Sequence, residues 1–268
     1  MTKIVGVHGV GNHRPALTPP EAAGQLARIW SARLAPDVDL EMAYYAHHLR
    51  GSVAHSGSDL PESLDEEALE MLLSWARALE TEPAGVEHGW VTAPARHLIA
   101  RMTGRPFTRL PQQLFILLFL KEVQFYLGRR YRQRRIDARE QVATVIKKHQ
   151  PSVVLAHSLG SVVAYEALCA DPELKIDLLV TLGSPLALPY TVLHRLEPGL
   201  PADGGLMPRP PGVGRWVNLA DPGDLCAVPP WLSTRFPVDI DRQTTIGTFA
   251  FHKVARYLDC VDLEELLS

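Results

Sequence analysis

The sequence predicts an α/β domain whose central sheet is mostly parallel and is covered by helices. Short apolar runs typical of buried strands alternate along the chain with segments that carry apolar residues at helical spacing. Clusters of glycine and proline separate these segments. A chain of 268 residues is long enough to bury the core of one such domain, so we expect residues 1–268 to form a single domain.

The composition is that of a globular protein without an obvious charged partner. Apolar residues make up 46% of the chain and charged residues 21%, with a formal charge of −3, which does not favour nucleic-acid binding. Cys169, Cys226 and Cys260 are scattered without metal-ligand or disulfide spacing, as is typical of reduced thiols. The longest apolar run, 114–120, is far shorter than the roughly 18 residues of a membrane span. We therefore expect a cytoplasmic protein without a signal peptide.

The first 50 residues predict two strands and a helix. Residues 3–8 (K-I-V-G-V-H) have the pattern of a short buried strand and lead into a turn-rich loop over 9–20. Residues 21–34 place apolar side chains at helical spacing, and residues 39–46 can form a second strand.

The sequence changes in character over residues 50–140. Turn-forming and acidic residues surround a predicted helix over 63–80, and a second helical stretch runs from Pro111 to about Lys148. We expect residues 50–140 to form a helical cap or insertion within the domain.

The second half of the chain returns to alternating strands and helices. It predicts strands over 152–156, 177–182, 216–219 and 238–246, a helix over 159–170, and a last helix from about Thr248.

The pentapeptide Ala156-His157-Ser158-Leu159-Gly160 follows one of these strands directly. A serine between a buried strand and a helix lies on a sharp turn that presents its hydroxyl, and small residues are needed two positions before and after it. Ala156 and Gly160 meet this requirement, so Ser158 is the candidate nucleophile.

A serine hydroxyl needs a base to accept its proton and a third group to orient that base. His252 is the only histidine after Asp224, and it lies where the last strand gives way to the last helix. Asp221 and Asp224 both come just after a strand, and either could be the acid. An aspartate before Pro-Gly also readily forms a turn, which fits Asp221.

The loop after the first strand contains His8-Gly9-Val10-Gly11. An oxyanion hole needs two backbone N–H groups directed at the developing charge, and we expect these from Leu159 and Val10. His8, Gly9 and Gly11 would support that loop, since glycine lets the backbone turn towards the site. A plain glycine turn is the alternative.

Together these segments resemble the α/β-hydrolase superfamily, specifically bacterial serine esterases and lipases, over residues 1–12, 150–190 and 215–260. The segment 181–186 (T-L-G-S-P-L) also resembles one that recurs in that group, and the stretch around Asp221 resembles a motif in which the second aspartate, here Asp224, serves the triad. The resemblance implies an α/β-hydrolase fold and a serine hydrolase acting on a carboxylic ester without a cofactor. Ala156 and residues 50–140 depart from the family pattern.

Alternative functions remain open at this stage. A thioesterase, an acyltransferase or a peptidase would use the same three residues, and a non-catalytic binding protein could share the fold. For the hydrolase, the expected partner is a small acyl substrate.

The segment after the apolar run is rich in arginine. One interpretation is a buried helix that continues into a solvated basic turn. Another is a lid over an acyl pocket, with the arginines contacting an anionic membrane or an acidic partner. The arginines of this segment are Arg129, Arg130, Arg132, Arg134 and Arg135.

The other histidines favour packing over chemistry. We expect His157 to belong to the turn, with its side chain directed away from the nucleophile. His47, His48 and His55 match no ligand template and have no acidic cluster beside them, so no metal site is predicted.

Overall fold

The computed structural model describes residues 1–50, 65–81, 111–247 and 252–267. Its centre is a six-stranded sheet in which every neighbouring pair of strands is parallel. The predicted α/β class with a mostly parallel sheet is therefore confirmed. The strands are β1 (Thr2–Val7), β2 (Val38–Ala43), β3 (Val153–His157), β4 (Ile176–Leu182), β5 (Val213–Ala220) and β6 (Ile240–Gln243).

Helices cover both faces of this sheet. The described helices are α1 (Pro19–Ser31), α2 (Glu66–Thr81), α3 (Pro111–Leu127), α4 (Arg132–His149), α5 (Leu159–Ala170), α6 (Val254–Leu258) and α7 (Leu263–Leu267). None of the described helices combines the length and apolar content needed to cross a membrane.

Two apolar cores lie on opposite faces of the sheet because side chains alternate along each strand. On β3, Val154 and Ala156 join the core that contains α2 to α5, whereas Val153 and Leu155 join the core formed with α1, α6 and α7. The central strand β3 is buried throughout, which explains its nearly continuous apolar sequence.

The predicted helix from Pro111 to Lys148 is in fact two helices. The first ends at Leu127, because Gly128 has an extended backbone with φ −69° and ψ 139°. A single 3-10 turn, Arg129–Tyr131, then leads into α4. Helix α3 packs inward, with Ile116, Phe119 and other apolar side chains fully buried.

The sequence predicts that the arginine-rich segment after the apolar run is a solvated basic turn, and only some of these arginines are in fact exposed. Arg129 and Arg130 are exposed, but Arg135 is 8% exposed and binds the fully buried Glu166 of α5. Arg135 is buried because this carboxylate, itself without access to water, requires a positive partner.

Smaller departures concern the ends of elements. The fifth strand begins at Val213 and not at 216, and the last strand is limited to Ile240–Gln243. Residues 63 and 64, Thr248 and His55, which enter predictions made from the sequence, lie outside the described residues.

The strand order β2-β1-β3-β4-β5-β6 creates one reversal in the sheet. From β1 the chain moves outward to β2 and then returns to place β3 on the other side of β1. In open parallel sheets, ligands bind beyond the carboxyl ends of the strands at such a switch point. The residues that follow β1 and β3 therefore occupy the place in this fold where a site is expected.

Candidate active site

Ser158 forms a strained turn between β3 and α5. Its φ of 55° and ψ of −133° lie in a region that non-glycine residues rarely adopt. The helix that follows passes very close to β1, since a Cβ atom on Gly160 would overlap the carbonyl oxygens of Val7 and His8. This close approach is the physical reason for the small residue two positions after the serine.

The structure brings Asp224 and His252 together in a buried pair. His252 Nδ1 lies 2.5 Å from Asp224 Oδ2, and both side chains are almost completely inaccessible to solvent. The second carboxylate oxygen, Oδ1, accepts a hydrogen bond from the backbone N–H of Cys226 at 2.9 Å. These contacts hold the imidazole ring in one orientation.

Asp221 has a different environment. Its Oδ1 accepts the N–H of Gly223 at 2.7 Å and its Oδ2 accepts the N–H of Ile246 at 2.7 Å. The N–H of Asp224 donates to its carbonyl oxygen at 2.9 Å, which closes a turn. Asp221 therefore shapes the loop that carries Asp224, and it is Asp224 that contacts His252.

Ser158 Oγ and His252 Nε2 are two buried polar atoms that have no hydrogen-bond partner in the part of the chain that the structure describes. The ring of His252 packs against His157, the residue that precedes the serine, with 4.5 Å between ring centroids. Buried polar atoms are nearly always paired, so each unpaired one requires an explanation, of which a catalytic role is one. Both atoms are free to engage a substrate.

His157 is packed inside the protein, as one would expect of a structural residue. Its ring also lies 5.8 Å from that of Tyr257. Burial, together with the neighbouring His252, lowers the pKa of His157 well below its ordinary value. His157 is therefore neutral at physiological pH and adds no charge beside His252.

The loop after β1 lies directly against the serine. A Cβ atom on Gly9 would come within 2.6 Å of Ser158 Cβ, so only glycine fits there. Asn12 Nδ2 donates to the carbonyl oxygens of Gly9 and Val10 at 2.9 and 3.1 Å, which fixes the turn. Among the described residues, the N–H groups of Val10 and Leu159 have no hydrogen-bond partner.

The side chain of His8 stabilises this loop through a ring contact and hydrogen bonds. Its ring stacks on Tyr45 with 4.4 Å between centroids and an angle of 7°. Nε2 accepts the N–H of Tyr45 at 3.3 Å, so the proton lies on Nδ1, which donates to the carbonyl of Gly9 at 2.9 Å. Burial lowers the pKa of His8 to about 4, so the ring is neutral at pH 7.

Tyr257 of α6 is a site residue that the sequence did not indicate. Its hydroxyl donates to Asp224 Oδ2 at 2.6 Å and accepts the N–H of Asp221 at 3.1 Å. Gly183 makes room for this arrangement, because a Cβ there would lie 2.7 Å from Asp224 Oδ2 and its φ is +53°. The glycine lies in the recognised segment 181–186, but no local signal marks the tyrosine.

Glu122 of α3 is a second residue that the sequence did not indicate. Its Oε1 accepts the N–H of Gly11 at 3.0 Å, which leaves Gly11 unable to donate elsewhere. Burial raises the pKa of Glu122 to about 7. Its partner is 111 residues away in sequence, so the contact exists only in the folded chain.

Helix α3 covers the site. Three residues on one side of α3 face the site. Phe115 lies against the ring of His252, and Leu118 lies beside Gly11. Glu122 accepts the N–H of Gly11. The side chain of Ser158 is 0% exposed. Helix α3, which falls within residues 50–140, therefore lies against two neighbours of the serine, His252 and the loop that contains Gly11.

Metal binding has one geometric candidate among the described residues. One ligand atom from each of Asp224, Cys226 and His252 lies within 4.8 Å of the others. Burial and the nearby Asp224 raise the pKa of the Cys226 thiol well above its ordinary value, and a protonated thiol is a poor ligand. Both Asp224 oxygens already accept hydrogen bonds. The set is better suited to orienting His252 than to holding an ion.

Histidines 47 and 48 lie against each other with tilted rings, and neither belongs to this group of potential metal ligands. Their ring centroids lie 3.9 Å apart. Burial lowers the pKa of His47 to about 4 and that of His48 in the same direction, so both are neutral at pH 7.

Comparisons of the chain with family models, with curated proteins and with solved structures returned no match. The function is therefore inferred from the fold and from the geometry of this site.

Proposed function

We propose that the protein is a serine hydrolase of the α/β-hydrolase fold that cleaves a carboxylic ester through an acyl-enzyme. The observation that carries this proposal is the buried 2.5 Å contact between His252 Nδ1 and Asp224 Oδ2, next to a serine on a strained turn. A carboxylate that holds the imidazole in this way keeps its other nitrogen free to act as a base.

The chemistry follows from these roles. His252 Nε2 accepts the proton of Ser158 Oγ as the oxygen attacks the ester carbonyl. The tetrahedral oxyanion accepts hydrogen bonds from the N–H groups of Leu159 and Val10. His252 then returns the proton to the leaving alcohol, and water, deprotonated by the same imidazole, releases the acid from Ser158.

The arrangement of the sheet supports the same assignment. The serine follows β3, the acid follows β5 and the histidine follows β6, so all three lie beyond the carboxyl ends of parallel strands. The order serine, aspartate, histidine along the chain is the order of α/β-hydrolases.

Substrate entry requires some of the elements around Ser158 to move, because this residue is sealed from solvent. Phe115 and Leu118 of α3, which lie beside His252 and Gly11, would present an apolar wall to the acyl group. We therefore expect an acyl ester with an apolar acyl chain to be the preferred substrate.

The experiment is a panel of p-nitrophenyl esters from acetate to palmitate, with thioester and peptide substrates beside them. The wild type should hydrolyse at least one ester, Ser158→Ala should lose that activity, and Ser233→Ala, which alters an exposed serine, should keep it. Equal activity in wild type and Ser158→Ala would refute the proposal. Preference for a thioester or peptide, or transfer to an added alcohol, would change the substrate class and keep the triad.

A non-catalytic binding protein is the second candidate, because Ser158 Oγ and His252 Nε2 share no hydrogen bond in this closed arrangement. Catalytic hydrogen bonds are often long before substrate binds, so this observation does not outweigh the buried Asp224–His252 pair. Absence of hydrolysis across the whole panel, with the fold intact, would favour the binding protein.

A further inference from the structure

A second cavity lies away from the proposed active site. It is a cleft of about 820 Å³ bounded by α2, by the turn between α3 and α4, and by residues 190–197. None of the proposed catalytic residues lines it. Its size is within the range of sites that hold small molecules.

The walls of this cleft carry more arginines than carboxylates, since Glu70 and Glu197 are the acidic residues among those that line it. Five arginines line it: Arg77, Arg129, Arg132, Arg135 and Arg195. Two of them are neutralised by the protein, since Arg135 binds Glu166 and Arg195 binds Glu67 at 2.8 Å. The carboxylate of Glu197, which also lines the cleft, forms an ion pair with Arg139 at 2.8 Å.

Arg129 and Arg132 are not neutralised in this way. Both are exposed, and neither forms an ion pair among the described residues, although the charge of Arg132, after those of Arg135 and Arg139, contributes to lowering the pKa of Glu197. They are three residues apart in consecutive helical turns, so their side chains leave the backbone on the same side. Two adjacent cations facing a cleft favour an anionic ligand.

An exposed aromatic ring lies at the edge of the same cleft. Tyr190 is 63% exposed and stacks face to face on His194, with 4.2 Å between centroids and an angle of 13°. Its N–H donates to His194 Nδ1 at 3.1 Å, and its carbonyl accepts Arg195 Nε at 3.0 Å. Its φ of 55° is unusual for a tyrosine, and these contacts hold the strained backbone in place.

We propose that this cleft binds a small phosphorylated molecule with a planar ring, of the class of a mononucleotide. The guanidinium groups of Arg129 and Arg132 pair with the phosphate, since the planar fork of arginine matches phosphate oxygens. The ring of the ligand stacks on Tyr190.

The shape of the region favours a small ligand over a membrane surface. Arg129 and Arg132 line a concave cleft, whereas Arg134 lies over the rings of Phe125 and Tyr131 at 4.7 and 4.6 Å. Arg135 is buried. The arginines predicted from the sequence as one basic segment therefore face different surroundings and do not form a single flat patch.

The test is isothermal titration calorimetry with AMP, ribose 5-phosphate and adenosine. AMP should bind with a Kd below about 1 mM, and adenosine should bind at least about tenfold more weakly because it lacks the charge. The double variant R129Q/R132Q should weaken AMP binding at least about tenfold, the effect of losing charged hydrogen bonds. The matched control is R130Q, which alters an exposed arginine outside the cleft and should leave the Kd unchanged.

A second variant tests the ring. Tyr190→Gly removes the aromatic side chain and tolerates the positive φ, so it should weaken AMP and leave ribose 5-phosphate unaffected. Failure of AMP to bind at about 10 mM, or equal binding by wild type and R129Q/R132Q, would overturn the proposal. Sedimentation with phosphatidylserine vesicles that depends on Arg129 and Arg132, without AMP binding, would overturn it in favour of a membrane contact.

Discussion

Replacement of Glu122 by glutamine should make the protein more stable at neutral and alkaline pH. The amide keeps an oxygen that can accept the N–H of Gly11, now 3.0 Å from Glu122 Oε1, but it cannot ionise. Burial raises the pKa of Glu122 from 4.5 to about 7, although the Gly11 hydrogen bond and the positive charges of Arg50 and Lys121 act in the opposite direction.

The magnitude and sign follow from this pKa. In the unfolded chain the carboxyl group loses its proton near 4.5, and in the folded protein near 7. Between these values the folded state binds more protons, so the free energy of unfolding falls as pH rises. At about 1.4 kcal/mol per pKa unit, the whole loss is about 3 kcal/mol. It is absent below pH 4.5 and complete above about pH 7.

The assay is urea denaturation of wild type and Glu122→Gln at a series of pH values from about 4.5 to 8. The stability of the variant relative to wild type should grow by about 3 kcal/mol across this range. Burial lowers the pKa of His8 and of His47 from 6.5 to about 4, so both also make stability depend on pH in the acid part of the range. These histidines are present in both proteins, and their contributions cancel in the difference. Glu140→Gln, at an exposed position of α4, is the matched control.

Two results would refute this reasoning. A stability difference that is constant with pH would mean that Glu122 ionises in the folded protein as it does in the unfolded chain. A difference that shrinks as pH rises would mean that the folded site favours the carboxylate.

Three further substitutions test other contacts. Gly9→Ala brings a Cβ within 2.6 Å of the Cβ of Ser158, the proposed nucleophile, and should lower kcat/KM for an ester about 100-fold by displacing this serine. Gly24→Ala, where a Cβ meets nothing within 4 Å, should keep full activity. Tyr257→Phe loses the 2.6 Å hydrogen bond to the triad carboxylate, and kcat/KM should fall about tenfold while the fold is kept. Arg135→Met leaves Glu166 buried without its cation, so urea denaturation should show a loss of about 3–5 kcal/mol; a loss below about 1 kcal/mol would contradict the importance of this ion pair.

The features predicted correctly from the sequence are those that depend on local patterns. The apolar runs that became β1, β3 and β4 were recognisable because central parallel strands are buried on both faces. The turn at Ser158 was recognisable for a related reason, since the serine follows such a strand and small residues flank it.

The features that were missed depend on contacts between distant parts of the chain. Gly11 and Glu122 are 111 residues apart, and Tyr257 is 33 residues from Asp224. No local pattern encodes such pairs. The break at Gly128 was missed for another reason, because helical spacing continues on both sides of it.

The choice between Asp221 and Asp224 shows most clearly how far the sequence alone can identify a site residue. Both follow β5 within a few residues, so their local sequence settles little. They differ in three dimensions, since the carboxylate of Asp221 binds the N–H groups of Gly223 and Ile246 and that of Asp224 binds His252. The sequence favours Asp224 only through the Pro-Gly turn after Asp221 and through the family resemblance, whereas the folded chain shows directly that Asp224 contacts His252.

Labelling with a fluorophosphonate probe tests the nucleophilic serine most directly. The account predicts that the wild type forms one covalent adduct, that peptide mapping places it on Ser158, and that Ser158→Ala is not labelled while Ser233→Ala is. Absence of labelling in a folded wild-type protein, or labelling that persists in Ser158→Ala, would contradict the account.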